Sequence, residues 1–208
     1  MNLASHALTI DQIYKLMTGL IVPRPIAWVT TCSQSGTVNL APFSAFTFLS
    51  TKPPMIGISI TLRAGVLKDT ARNIEATGEF VVNIANETFL EPLHASSAEY
   101  PSDVSEAEIL GLSLASSTSV RPPRLADVPA AMECRLERTI EFGDLGARLV
   151  AGEILQFHVR DGLLVDGKIA TDHLRPLGRI AGPRYATLGE VINVAPLHHG
   201  SRRYDEPS

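Results

Sequence analysis

Apolar and polar residues alternate most regularly in the second half of the chain. The apolar members of this alternating run are Met132, Cys134, Leu136, Ile140 and Phe142. Side chains on one face of a strand recur at every second residue, so the run predicts a half-buried strand with Glu133 on its polar face. Gly143-Asp-Leu-Gly146 is typical of a turn, and the apolar stretch Leu149–Val159 is then the partner strand.

Shorter apolar runs predict the other strands. These runs are Ile26–Thr31, Val38–Ser50, Met55–Thr61 and Phe80–Ala85. Turn-forming residues bound them, as expected for strands in an antiparallel sheet. Glycine follows aspartate at Asp161-Gly162 and at Asp166-Gly167, which adds two turns of the hairpin kind.

The N-terminal segment has helical spacing. Its apolar residues Ile10, Ile13, Tyr14 and Met17 share one face of a helix. Thr9 and Gln12 have the spacing of a capping box at the start, and Gly19 is expected to close the helix.

The order of these segments predicts the fold class. Strands joined by short turns, with helices in separate segments, indicate an α+β protein, mainly β, around an antiparallel sheet. The 208 residues suit a single domain over 1–208, with a polar C-terminal tail at about 197–208. Closure into a barrel would remove the exposed sheet edges, but periodicity alone leaves an open sheet and a barrel as alternatives.

Composition and charge narrow the function classes. The formal net charge is -4 without a basic stripe, which argues against a nucleic-acid partner. Two cysteines and six scattered histidines show no metal-ligand spacing, so no metal site is predicted. The N-terminus lacks the pattern of a secretory signal, and no apolar stretch is long enough for a membrane helix. We therefore expect a cytoplasmic protein without membrane contact.

The common glycine-rich nucleotide-binding motifs are absent from the sequence. The first candidate for a ligand-binding segment is Asn39–Phe46. This segment places small residues and Pro42 in an otherwise apolar strand. Small side chains let a flat ring lie against the backbone, whose N–H and C=O groups can bind the polar edge of the ring. A strand end whose small residues only relieve crowding is the alternative.

A second candidate is the start of the predicted helix Lys68–Thr77, which Asp69 or Thr70 is expected to cap and Gly78 to end. Free backbone N–H groups and the helix dipole favour an anion at such a start. Lys68 adds positive charge and Thr70 a hydroxyl, so a phosphate monoester would fit. An ordinary capped surface helix is the alternative. Together the two segments suggest a ligand with a planar ring and a phosphate tail.

Six segments, in order, carry a family resemblance. They are Pro23-Arg-Pro-Ile-Ala-Trp-Val-Thr-Thr31, Gly36-x-x-Asn-Leu-Ala-Pro-Phe-Ser44, Ser50-x-x-Pro-Pro54, Lys68-Asp-Thr-x-x-Asn-Ile74, Glu79-Phe-Val-Val-Asn83 and Pro176-Leu-Gly-Arg-Ile-Ala-Gly182 with Tyr185. Their sequence and spacing resemble the flavin reductase-like family of FMN-binding split barrels. The resemblance implies a six-stranded antiparallel Greek-key barrel over about residues 20–185, with peripheral helices.

The resemblance also implies where FMN binds, without a covalent bond. Residues expected along the isoalloxazine ring are Asn39, Ala41, Pro42, Phe43, Ser44, Ala45 and Phe46. Residues expected near the phosphate are Ser59, Lys68, Asp69 and Thr70, with Asn73 in the same helix motif. Arg184 and Tyr185 are expected beside the flavin of the other subunit of a homodimer. His158, on a family-like strand, is a candidate substrate contact, and no catalytic residue is assigned.

The activity implied by the resemblance is hydride transfer from NADH or NADPH to FMN. The reduced flavin would then serve a flavin-dependent monooxygenase or another acceptor. The transfer itself needs no acid or base from the protein, because the cofactor carries the chemistry. One alternative is an FMN-binding electron carrier that does not oxidise NAD(P)H, and another is a haem-handling or interaction protein without flavin.

Overall fold

The computed structural model describes residues 1–195, so the predicted polar tail at 197–208 lies outside the described residues. The α-helices are α1 (Ile10–Leu20), α2 (Asp69–Thr77), α3 (Leu90–Ala95), α4 (Glu106–Ile109) and α5 (Thr171–Leu174). The strands are β1 (Arg24–Pro25), β2 (Ala27–Cys32), β3 (Val38–Phe43), β4 (Phe46–Thr51), β5 (Pro54–Ile60), β6 (Glu79–Ile84), β7 (Leu114–Ala115), β8 (Arg124–Leu125), β9 (Ala130–Phe142), β10 (Ala147–Val159), β11 (Leu164–Val165), β12 (Lys168–Ile169), β13 (Gly178–Arg179) and β14 (Tyr185–Ala186).

Seven of the described strands form one antiparallel sheet in the order β3-β2-β6-β9-β10-β5-β4. The two edge strands, β3 and β4, are consecutive in the chain and only Ser44 and Ala45 separate them. The sheet must therefore curl until its edges meet at this link, which is how a barrel closes. The sequence run Val38–Ser50 thus supplies two strands rather than one, and the sheet has seven strands where six were expected.

Buried side chains form two clusters, one on each face of the central strands. Ala27 and Val29 of β2 face the first cluster, whereas Trp28 faces the second. The burial of all six residues of β2 follows from this double coverage. Gly152 of β10 lies against the first cluster, where a Cβ would stand 2.4 Å from Phe80 Cζ, so the residue leaves room for the aromatic ring.

The strand β9 departs from the predicted alternation. Glu133, expected on the polar face, has no exposed surface, while Ile140 and Phe142 are exposed by 39% and 55%. The hairpin of β9 and β10 has 13 residues in each strand, and its neighbours β5 and β6 have seven and six. Its far end therefore extends beyond the layers that could cover it, and apolar residues there remain exposed.

The two helices predicted with defined ends form, with different boundaries. Thr9 and Gln12 make the capping box of α1, but the helix continues through Gly19. The cap of α2 is Lys68, whose side chain makes no capping bond, rather than Asp69 or Thr70. Gly78 ends α2 at a φ of 73°, as predicted. No helix of the described residues is long and apolar enough to cross a membrane.

Candidate functional site

Two adjoining cavities open where the sheet edges meet. The larger has a volume of about 800 Å³ and the smaller about 410 Å³. Pro42, Phe43, Lys68 and Ser97 line both, so the cavities form one continuous cleft. Each is within the size range of small-molecule and cofactor sites in proteins.

The link between the edge strands forms one wall of the larger cavity. Predicted ring-binding residues that line this cavity are Pro42, Phe43, Ser44, Ala45 and Phe46. Ser59, which was expected near the phosphate, also lines this cavity and not the smaller one. The carbonyl of Ala45 accepts a hydrogen bond of 2.8 Å from the Ser59 N–H, which ties the link to β5. Since Ser44 and Ala45 belong to neither strand, the wall combines apolar side chains with the backbone of the link.

Another part of the larger cavity is lined by α1 and the residue that follows it, which the sequence did not connect with the site. Tyr14, Met17 and Ile21 line the cavity. The Arg24 guanidinium donates hydrogen bonds of 2.8 Å to the carbonyls of Thr18 and Ile21, which holds the end of the helix. Arg24 stands in the Pro23-Arg-Pro25 motif, but its contact with α1 depends on a turn that periodicity does not reveal.

The smaller cavity ends at the first turn of α2. The N–H groups of Asp69 and Thr70 come before the first intrahelical bond, and no side chain of the described residues caps them. The contrast with α1 is direct, because there the Thr9 side chain accepts from the Gln12 N–H. The start of α2 is therefore open to an anion.

Lys68 supplies positive charge at this helix start. Lys68 Nζ lies 5.6 Å from the centroid of the Phe43 ring, and burial, followed by the nearby Arg63, lowers the pKa of Lys68. Arg63 and Arg72 also line the smaller cavity and were not predicted. Each pairs with a carboxylate, Arg63 with Glu99 at 3.1 Å and Arg72 with Asp69. The Asp69 carboxylate is thus engaged by Arg72, whereas the Asp69 N–H has no intrahelical partner.

A network of buried polar side chains holds together the elements that line the smaller cavity. Asn39 Nδ2 donates to Thr70 Oγ1 at 2.9 Å, which joins β3 to the first turn of α2. Both residues line the smaller cavity, as does Ala41, although Asn39 and Ala41 were expected along the ring. Asn73, in contrast, donates to Thr31 at 3.1 Å and lines neither cavity. Its place is in the packing of α2 on β2.

Glu106, a buried residue that the sequence did not single out, completes this support. Its carboxylate accepts a hydrogen bond of 2.8 Å from the Leu40 N–H and fixes α4 to β3. Burial raises the pKa of Glu106, although the Leu40 N–H opposes this effect.

Three further residues, predicted to contact the flavin or the substrate, do not lie together in the structure. Tyr185 lines the larger cavity of its own chain, whereas the resemblance implied a place beside the partner's flavin. Arg184 lines neither cavity and donates to the carbonyl of Ala181. His158 also lies outside the cleft, with Nε2 2.5 Å from the Glu133 carboxylate.

Comparison with known proteins connects this geometry to a family. The profile of the flavin reductase like domain matches residues 18–177. The chain belongs to the flavin reductase-like family.

Solved structures similar to this flavin reductase-like chain support its membership of the family. Nitrilotriacetate monooxygenase component B from Bacillus cereus is similar with a TM-score of 0.90 and 36% identity, covering 93% of this chain and 98% of that one. The 2-nitrobenzoate 2-nitroreductase NbaA from Pseudomonas fluorescens has a TM-score of 0.86 and 34% identity, covering 97% and 100%. A protein with a split barrel domain from Shewanella frigidimarina, at 22% identity, shows the fold alone, with a TM-score of 0.82 and coverage of 95% and 100%. The predicted split-barrel fold is confirmed.

The residues of the cleft fit a flavin mononucleotide. A flat tricyclic ring matches the apolar walls of the larger cavity, and a phosphate matches the uncapped start of α2 with Lys68 beside it. The shared lining residues connect the two ends, as one ligand with a ring and a phosphate tail requires.

Proposed function

We propose that this chain is an oxidoreductase that binds FMN and transfers hydride from NADH or NADPH to the flavin. The observation that carries the proposal is a single cleft with an apolar ring-sized end and an uncapped, cationic helix start at the other. Membership of the flavin reductase-like family supports it.

The proposed binding mode divides the residues between the two ends of FMN. The segment from Pro42 to Phe46, with Ser59, holds the ring without a covalent bond. The N–H groups of Asp69 and Thr70 and the Lys68 ammonium hold the phosphate. Asn39 positions Thr70 through their hydrogen bond.

When bound, FMN supplies the hydride-accepting centre of this reaction. The chain's own residues bind and orient the reactants and exclude water from the ring. The apolar side chains of Phe46, Met17 and Ile21 line the space left beside the ring-binding wall, where a nicotinamide can stack. Shielding this space from water strengthens the electrostatic interactions within it.

The proposed activity is tested by the visible absorbance spectrum of the FMN-loaded protein under anaerobic conditions. We expect the flavin bands to bleach on addition of NADH or NADPH, and the faster reductant identifies the preferred nucleotide. A protein that binds FMN but is bleached by neither nucleotide is an electron carrier instead. A colourless protein that takes up no FMN contradicts both functions.

The phosphate assignment predicts the effect of Lys68→Ala. Loss of one charge-assisted hydrogen bond should weaken FMN binding about 10- to 100-fold, or about 1.5–3 kcal/mol. Riboflavin lacks the phosphate and should bind wild type and variant equally, as measured by fluorescence titration. Lys52→Ala, on the turn between β4 and β5, is the matched control. Equal FMN affinity in the Lys68 variant would place the phosphate elsewhere.

The proposal includes a homodimer. Exposed aromatic side chains support it, because Phe48, Phe142 and Phe157 are exposed by 77%, 55% and 54%. A second copy of the chain would cover such residues, and sedimentation of the FMN-loaded protein should give the mass of two chains.

The likeness to a monooxygenase component B also supports an oxygenase as one recipient of reduced flavin.

A further inference from the structure

The charged side chains that line the larger cavity are all positive. Within the part of the chain that the structure describes, they are Arg24, Lys68 and Arg179, and no carboxylate lines this cavity. A cleft lined by one sign of charge attracts molecules of the opposite sign. The larger cavity therefore favours anionic ligands, and the single phosphate of FMN accounts for only part of its positive charge.

Two of these three cations already have a task. Lys68 stands at the start of α2, where the flavin phosphate is proposed to bind. The Arg24 guanidinium holds the end of α1, through hydrogen bonds of 2.8 Å to the carbonyls of Thr18 and Ile21. Arg179 is the cation of the larger cavity that remains to be explained.

The Arg179 guanidinium is fixed in place, but its donors are not all used. Nε donates to the Gly182 carbonyl at 3.0 Å, and Nη1 donates to the Tyr185 hydroxyl at 2.5 Å. The guanidinium also lies 4.6 Å from the centroid of the Tyr185 ring, and the hydroxyl of that ring is 3.0 Å from His94 Nδ1. An arginine has five N–H donors, and these two bonds leave three, including both on Nη2, without a partner among residues 1–195.

Arg179 also lacks a counter-ion. It is half-buried, and none of the described carboxylates forms an ion pair with it. Arg63 and Arg72 of the smaller cavity, in contrast, each pair with a carboxylate. Withdrawing a charge from water is costly unless the charge is paired, and a guanidinium with unused N–H groups matches the oxygens of a phosphate. The geometry of Arg179 therefore fits an anionic group that arrives with a ligand.

The proposed reaction brings a second phosphorylated molecule to this cavity. NADH and NADPH both carry a pyrophosphate next to the nicotinamide ribose, and NADPH carries one more phosphate. Arg179 lines the same cavity as Met17 and Ile21, beside which the nicotinamide is proposed to stack. We propose that Arg179 binds a phosphoryl group of the nicotinamide nucleotide and thereby selects phosphate-bearing reductants. This inference rests on the proposed function and adds to it the residue that recognises the reductant.

The first test compares two reductants that have the same nicotinamide ring. Dihydronicotinamide riboside lacks the phosphates of NADH, and each compound is mixed anaerobically with FMN-loaded protein while the flavin bleaches. The measured quantity is the second-order rate constant for NADH divided by that for the riboside. This ratio should be about tenfold lower in Arg179→Gln than in wild type, because a charge-assisted hydrogen bond to phosphate is lost. A ratio equal to that of wild type overturns the inference.

The ratio separates recognition of phosphate from other effects of the substitution. If Arg179 acted on the flavin ring or on the fold, both rate constants would fall together, and the ratio would stay the same. Arg179→Lys keeps the charge but not the planar fork of donors, so its ratio should lie between those of wild type and Arg179→Gln. Arg160→Gln is the matched control, since Arg160 is exposed and lines neither cavity, and its ratio should equal that of wild type.

A parallel series with NADPH identifies the phosphate. An equal loss with NADH and NADPH assigns Arg179 to the pyrophosphate, which the two nucleotides share. A loss with NADPH alone assigns it to the additional phosphate of that nucleotide. A loss with neither overturns the inference.

The second test measures binding without hydride transfer. FMN-loaded protein that dithionite has already reduced cannot accept a hydride, so the fluorescence of added NADH reports binding alone. Arg179→Gln should bind NADH about tenfold more weakly than wild type. Added salt screens the charge pair, so it should weaken NADH binding more in wild type than in the variant. Equal affinity and equal salt dependence in the two proteins would show that Arg179 does not meet the phosphates.

The proposed function and this inference fail in different ways. If none of the three reductants bleaches wild type, the proposed hydride transfer is wrong, and the role of Arg179 falls with it. If NADH bleaches wild type but the NADH-to-riboside ratio is the same in Arg179→Gln, the proposed function stands and only the assignment of Arg179 is wrong. Wild type alone gives a further check, because its ratio should fall as salt is added, and a ratio independent of salt contradicts the assignment.

Discussion

Ala45→Trp should yield a folded protein that no longer binds FMN. Ala45 is exposed, lies in the two-residue link between the edge strands, and lines the larger cavity. An indole at this position occupies the space beside the backbone that the proposed ring needs, while the carbonyl that accepts from Ser59 is unchanged. We expect FMN affinity to fall by more than about 100-fold, because overpacking a fixed cavity costs about 1–3 kcal/mol and the ring also loses its contacts.

Absorbance after gel filtration with excess FMN measures this loss, and circular dichroism checks the fold. Thr51→Trp is the matched control, since Thr51 lies on the same strand β4, is exposed and lines neither cavity. It should retain the yellow colour. An Ala45→Trp protein with wild-type affinity would require the ring to lie on another surface.

The strands could be predicted from the sequence because their signal is local. Runs such as Ile26–Thr31 and Phe80–Ala85 differ from the observed strands by one residue at each end. The division of Val38–Ser50 between two sheet edges could not be predicted, because it depends on which strand each half of the run pairs with. Only the pairing of β3 with β2 and of β4 with β5 shows that the chain changes edge at Ser44 and Ala45.

Residues of the candidate site could likewise be predicted only where their signal is local in the sequence. The ring and phosphate segments are contiguous in sequence, so their composition and the uncapped helix start could indicate a ligand. Arg63 and His94 act through contacts with distant segments, and no local pattern marks them. Tyr185 lies in a motif of the family resemblance, but its partners Arg179 and His94 become visible only in three dimensions.

Glu133 shows why alternation alone fails at a buried charge. Its position on the polar side of β9 is correct in register, but the segment 116–122 covers that side. The carboxylate accepts from the N–H groups of Thr118 at 2.7 Å and Ser119 at 2.5 Å and from His158 at 2.5 Å. Although burial alone raises the pKa of Glu133, these donors outweigh it and hold the pKa below its ordinary value.

Glu133→Ala should therefore be strongly destabilising, by about 3 kcal/mol, because it removes a fully buried carboxylate and leaves three hydrogen-bond donors without their acceptor. A group whose pKa is lowered on folding contributes stability that is present above its ordinary pKa of about 4.3 and is lost as pH falls through the folded value. The difference in unfolding free energy between wild type and variant should thus be full at pH 7 and shrink toward acid pH. Urea unfolding at a series of pH values measures it.

Glu137→Ala provides the control on the same strand, because Glu137 is exposed and, among residues 1–195, pairs only with its neighbour Arg138. Its unfolding midpoint should match wild type at pH 7. If Glu133→Ala unfolds at the wild-type urea concentration, the carboxylate does not hold the covering segment in solution. If the loss of stability is large but equal at every pH, its cause is packing. A contribution from the ionised carboxylate would instead disappear as the pH falls and the carboxylate takes up a proton.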